Sequence, residues 1–143
     1  MAITQGVCTS FLSELFTGVH DFSADTFKVA LYGSSASLGR STTAYTATGE
    51  ISGTGYTAAG ATVAVAAGYP TTSGTQVLVD WDDVTWASST LTGVMGALIY
   101  NSSKANRAVA VYSFGAGVNS QSGAFDIAWP DPSISPALRL NAG

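Results

Sequence analysis

His20 is the only histidine in this 143-residue chain, so a Ser/His/Asp or Cys/His relay would have to run through it. Its neighbour Asp21 points away from it if both lie on a helix, and no GxSxG is present. His20 therefore reads as a histidine at a helix end, held by the terminal carbonyls. Cys8, the only cysteine, cannot form an intrachain disulfide. With no basic residue near it in sequence, it reads as a small buried apolar residue rather than a reactive thiol. Asp80, Asp82 and Asp83 stand in DWDDVTW. On a strand, Asp80 and Asp82 share a face, and paired carboxylates serve glycosidase chemistry or bind calcium. The spacing is not that of an EF-hand, and the three read as solvated acids at a strand end. Trp81, Trp86 and Trp129 could stack on a sugar, but on apolar strands they read as core or interface anchors. GTGYTAAG, residues 53–60, is not GxGxxG and is followed by no GK[ST]. It reads as a flexible loop or a bulged strand lying close to another backbone. Asn101-Ser102-Ser103 is a glycosylation sequon by pattern alone. The expectation is a protein that is not an enzyme and has no cofactor and no metal.

The elements that must position these residues are mostly strands. In residues 7–22, Phe11, Leu12, Leu15, Phe16 and Val19 recur at three and four, which predicts one short amphipathic helix with Cys8 near its apolar stripe. It ends early, at Gly18 and His20-Asp21. FKVALYG at 27–33 alternates and predicts a strand. Residues 34–60 are rich in Ser, Thr and Gly, with room for one weak strand near 43–48. So long a loop in a small domain is usually functional or packed on a partner. A short apolar run at 61–67 is broken by Gly68-Tyr69-Pro70. QVLVDW at 76–81 predicts a strand that continues through 84–86 past a kink at Asp82-Asp83. Residues 95–100 and 107–114 predict a hairpin around the polar turn 101–106. FDIAW at 125–129, closed by Pro130 and Pro132, predicts another strand, and 137–140 a final edge strand. Many short strands at this spacing predict an all-β fold: an antiparallel β-sandwich or jelly roll with one short N-terminal α-helix. The whole of 1–143 reads as one domain, with an arm and helix in 1–22 and strands and loops in 23–140. Both faces of the 95–114 hairpin are apolar. One must line the core, and the other must be covered by a helix, a loop or another chain.

Charged residues make up 10% of the chain, far below the ~25% usual for soluble domains. Such a surface suits a protein largely covered by neighbours. The net charge is −4 with only five basic residues, too few and too scattered for a phosphate-tracking patch or a polybasic membrane anchor. No nucleic-acid partner and no membrane partner are expected. Residues 51–79 and 84–103 carry no charge but are too polar to span a bilayer, and the N-terminus does not read as a signal peptide.

Four stretches together resemble a known family: HDFSADTFKVALYGSSASLG (20–39), TAYTATGEISGTGYTAAGATV (43–63), VDWDDVTWASSTLTGVMGALIYNSS (79–103) and AVAVYSFG (108–115). They are similar to small structural proteins of tailed bacteriophages, encoded among head genes, some of which are cement or decoration proteins with a jelly-roll fold. The resemblance runs from about His20 to Trp129 and carries no catalytic motif. It implies a virion protein on the outer surface of the phage head, made in the host cytoplasm, whose partners are the major capsid protein and a second or third copy of itself. Low charge permits crowding on a lattice, and touching several subunits at once raises the effective concentration of each weak contact. A homo-dimer or homo-trimer would use the doubly apolar hairpin. Contacts are expected in the long loop, at Tyr45, Glu50, Tyr56 and Thr57, and in the arm, at Ala2, Ile3, Thr4 and Gln5. One alternative is a tail or fibre component with a receptor- or glycan-binding sandwich. Another is a small glycan hydrolase built on Asp80 and Asp82.

Overall fold

The computed structural model describes residues 2–130 and 138–141. Within them run β1 (Gly6–Val7), α1 (Thr9–Phe16), β2 (Phe27–Tyr32), β3 (Ala61–Val63), β4 (Thr71–Ser73), β5 (Gln76–Val79), β6 (Val84–Asn101), β7 (Arg107–Ile127) and β8 (Leu138–Asn141). They form two antiparallel sheets, one ordered β1-β7-β6-β2-β3 and the other β4-β5-β8. The fold is thus the expected all-β sandwich with one short helix. The last expected strand survives as β8, and Ala137 lies outside the described residues. Among the described residues no helix is long and apolar enough to cross a membrane.

α1 is shorter than the apolar spacing suggests. The Thr17 and Gly18 amides close it onto the Glu14 and Leu15 carbonyls. No side chain caps its N-terminus, and an eight-residue helix is marginal alone. It is held by packing: Phe11 is buried, and the Cys8 amide bonds the Val109 carbonyl. Phe16, a member of the predicted stripe and the last residue of α1, is 93% exposed because the helix has turned it away from the sheet.

β2 lies between β6 and β3, and five of its six residues are buried. The run of buried residues continues across the sheet through Ala97 to Tyr100 and Ala108 to Val111. On the face carrying Phe27, an aromatic group fills the interior. Phe22 lies 4.7 Å from Phe27 and 5.6 Å from Trp81, and Phe11 lies 5.9 Å from Phe22. On the face carrying Tyr32 and Tyr100, residues of the 34–60 loop take the place of a second layer, with Tyr45 against Tyr100 at 5.0 Å. The second apolar face of the hairpin is therefore covered by the chain's own loop. This corrects the expectation that the hairpin supplies an oligomer interface.

The largest departure from the expected elements lies in β6 and β7. The sequence breaks each into two strands with polar turns between. Instead they pair continuously from Val84↔Ile127 to Asn101↔Arg107, with register slips along the way. The Ser and Gly residues that look like turn formers are bulges: Ser88, Gly93, Gly115 and Ser122 all have positive φ. Ser89, fully buried, bonds Ser120 Oγ at 2.7 Å and donates to the Gly123 carbonyl at 3.0 Å. These bulges bend the ribbon sharply. The Phe114 and Phe125 rings are 6.5 Å apart, where a straight strand would hold them about 36 Å apart. The weak strand expected near 43–48 reduces to a single bridge, Ala44↔Arg107. The segment 61–67 yields only β3 and a bridge from Val65 to Trp81.

Candidate functional site

Glu50 organises the long loop. Its Oε2 accepts the Tyr45 hydroxyl at 2.7 Å, and its Oε1 accepts the Tyr56 hydroxyl at 2.6 Å and the Ala59 amide at 2.8 Å. The Tyr56 oxygen in turn accepts the Leu31 amide of β2 at 3.0 Å. Tyr100 donates to the Ala59 carbonyl at 2.6 Å and Tyr32 to the Thr46 carbonyl at 2.7 Å. Four tyrosines and one carboxylate thus clamp the loop to the sheet. Burial first pushes the Tyr45 and Tyr100 hydroxyls up to about 12, joined at Tyr45 by its hydrogen bond to Glu50 and at Tyr100 by the Glu50 charge. Burial, then the Glu50 charge at Tyr32 and the hydrogen bond to Glu50 at Tyr56, push those two hydroxyls higher still.

A consequence is sharp alkaline unfolding. An unfolded tyrosine ionises near pH ~10. The raised folded values mean that the stabilisation is complete below that pH and is lost as pH rises through about 12. Tyrosinate absorbance and far-ultraviolet circular dichroism, titrated together, should change in one shared cooperative step above pH ~10. Ionisation of these hydroxyls with the dichroism intact would contradict it.

The N-terminal arm is tied to its own chain. Ile3 bridges Leu38, the Thr4 amide bonds the Leu38 carbonyl at 2.9 Å, and the Leu38 amide bonds the Ala2 carbonyl at 3.0 Å. Gln5 Oε1 accepts the Ser113 amide at 3.3 Å. Of the residues expected to make contacts, Ala2, Thr4, Gln5 and Thr57 are exposed. Ile3, Tyr45, Glu50 and Tyr56 are half-buried and engaged within the chain.

His20 is not held by terminal carbonyls, which corrects that expectation. After α1 the chain turns back and buries the ring, with Nε2 2.7 Å from Glu14 Oε2 and Nδ1 3.0 Å from Asn101 Nδ2. Both ring nitrogens are therefore occupied by structural partners. Arg107 donates to Glu14 Oε1 at 2.7 Å, Asn101 donates to Asp25 Oδ2 at 2.7 Å, and Lys104 Nζ lies 3.6 Å from Asp25 Oδ1. Burial works to raise both carboxyls. The hydrogen bonds from His20 and Arg107 outweigh it at Glu14, and those from the Asp21 amide and Asn101, with the Lys104 charge, outweigh it at Asp25. Both are held below the ordinary carboxylate value. The buried, engaged amide of Asn101 also removes the sequon as a modification site. Cys8 is buried beside the start of α1. Desolvation, then the Glu14 charge, push its thiol up to about 11, far from a reactive thiolate.

The acids of DWDDVTW anchor the end of β7. Asp83 Oδ1 accepts the Trp129 amide and the Asp82 carbonyl accepts its indole N–H, both at 3.0 Å. Asp82 and Asp83 are exposed, and Asp80 is half-buried. Among the described residues no group of three or more His, Cys, Asp or Glu is placed to hold a metal. Trp81 and Trp86 are 2% and 6% exposed, so neither can stack on a sugar at the surface. The glycine-rich 53–60 segment does lie against other backbones: Gly60 abuts the Val29 carbonyl.

Sequence reasoning missed the Glu50 clamp and the Glu14–His20–Asn101–Asp25 chain. The available signal was scarcity: in a chain with so few charges, an isolated Glu among tyrosines is a candidate for a satisfied internal acid. No family model, curated protein or solved structure matches the chain.

Proposed function

We propose that this protein is a structural component of a virion, a cement protein that binds the outer surface of an icosahedral phage head and bridges neighbouring major capsid protein subunits. The observation that supports it is the bent β6–β7 ribbon. β6 carries no charged residue, and β7 carries none between Arg107 and Asp126. Residues 115–119, Gln121, Ser122 and Ala124 are exposed along it. A long, neutral surface can lie against a neighbour with little desolvation of charge and little repulsion between copies. Thr57, Ala2, Thr4 and Gln5, all exposed, are further contact candidates. The tail or fibre reading asks for exposed tryptophans, and two of the three lie in the core.

Heating heads that lack the protein, with and without it added back, tests the stabilising role. Added protein should raise the temperature at which packaged DNA becomes accessible to a dye. No shift at saturating protein would count against it.

A further inference from the structure

The ring of His20 is fully enclosed, and its surroundings specify its protonation state. Asn101 is oriented independently of it. The amide nitrogen faces Asp25 Oδ2 at 2.7 Å, and the amide oxygen accepts the Ser103 N–H at 3.0 Å. A carboxylate can only accept, so Asn101 turns N–H groups toward Asp25 and, at 3.0 Å, toward His20 Nδ1. Nδ1 must then carry a lone pair. Nε2, 2.7 Å from Glu14, must carry the proton. The arrangement is satisfied by one species, the neutral Nε2–H tautomer.

A second proton, on Nδ1, would point into the Asn101 amide N–H. Turning the amide over would face its oxygen to the Asp25 carboxylate and break the bond from Ser103. The groups around the ring come from every neighbouring element. Glu14 on α1 is shared with Arg107 at the start of β7, and Asp25 with Lys104 in the turn. The Asp21 carboxylate is turned onto the Ser23 amide and hydroxyl, and Phe11 closes the remaining side at 4.9 Å.

We propose that His20 is a proton-operated latch that ties α1 and the segment after it to the β6–β7 turn. A second proton on the imidazole displaces Asn101 and loosens the tie between α1 and the turn.

Because His20 is the only histidine, one pair of imidazole nitrogen resonances reports it in the intact protein. Nitrogen-15 spectra and amide exchange of α1 should be followed together as the pH is lowered from about 8 until the imidazole charges. The expected results are the Nε2–H tautomer at the upper end, and α1 exchange that accelerates about tenfold beyond its intrinsic pH dependence as the imidazole charges, the effect of one lost buried hydrogen bond. His20→Gln should keep a donor toward Glu14 and lose the pH response. An Nδ1–H tautomer or an imidazolium at the upper end would overturn the proposal. So would α1 exchange that ignores the charging of the ring, or a response that persists in His20→Gln. The wild-type titration decides alone if the variant fails to fold.

Discussion

Gly60→Ala is expected to remove about 4 kcal/mol or more, a large part of the ~5–15 kcal/mol that a domain of this size commands. Gly60 has φ +76°, a conformation an L side chain adopts at a cost of about 1–2 kcal/mol. The larger cost is steric. A methyl group there would overlap the carbonyl oxygen of Val29. Val29 is fully buried and pairs with Ile99 on one side and Ala61 on the other. It cannot retreat without breaking a ladder. Gly18 supplies the control, because it has φ +71° and no atom within 4 Å of an added methyl. Gly18→Ala should cost only about 1–2 kcal/mol. Denaturant midpoints of the two variants check the difference, and equal losses would contradict it.

Glu50→Ala is expected to cost about 3–5 kcal/mol and to release the long loop. It removes the one acceptor shared by two tyrosine hydroxyls and the Ala59 amide. Hydrogen bonds to a charged group contribute about 1.5–3 kcal/mol each, and donors left unsatisfied in a half-buried site add to the loss. Glu50→Gln keeps one acceptor oxygen and should cost about half as much, since its new N–H groups face donors. Denaturation measures the first effect. Limited proteolysis measures the second, with cleavage within 34–60 appearing in Glu50→Ala. A loss under about 1 kcal/mol with an uncut loop would show that the clamp is incidental.

Much of the architecture was legible from period and spacing. FKVALY alternates and forms β2, and the turn at 101–106 joins β6 and β7 as expected. What pattern could not give was how far those two strands run. ASSTLTG and GAGVNSQSG contain the residues that make turns, and the same backbone freedom makes bulges in a paired ribbon. Only the partner strand decides between the two. The internal role of Glu50 was not legible for a related reason. Glu50 in a Ser, Thr and Gly loop reads as solvated, yet the loop folds back over the hairpin. The carboxylate then meets Tyr45 and Tyr56, whose hydroxyls need an acceptor once their rings are covered. His20 and Asn101 are 3.0 Å apart across 81 positions of chain, a separation that no local spacing reports. The close backbone approach of the glycine-rich 53–60 segment was readable from its composition, but its partner at Val29 was not.

On the proposed function, the neutral surface binds a phage shell. Co-sedimentation of the purified protein with emptied heads lacking it, with detached tails as the comparison, tests this most directly. The expected result is saturable binding to heads at a fixed ratio to the capsid protein. That ratio should change little between low and moderate salt, because uncharged contacts are not screened. Binding to tails alone, or to neither particle, would contradict the account.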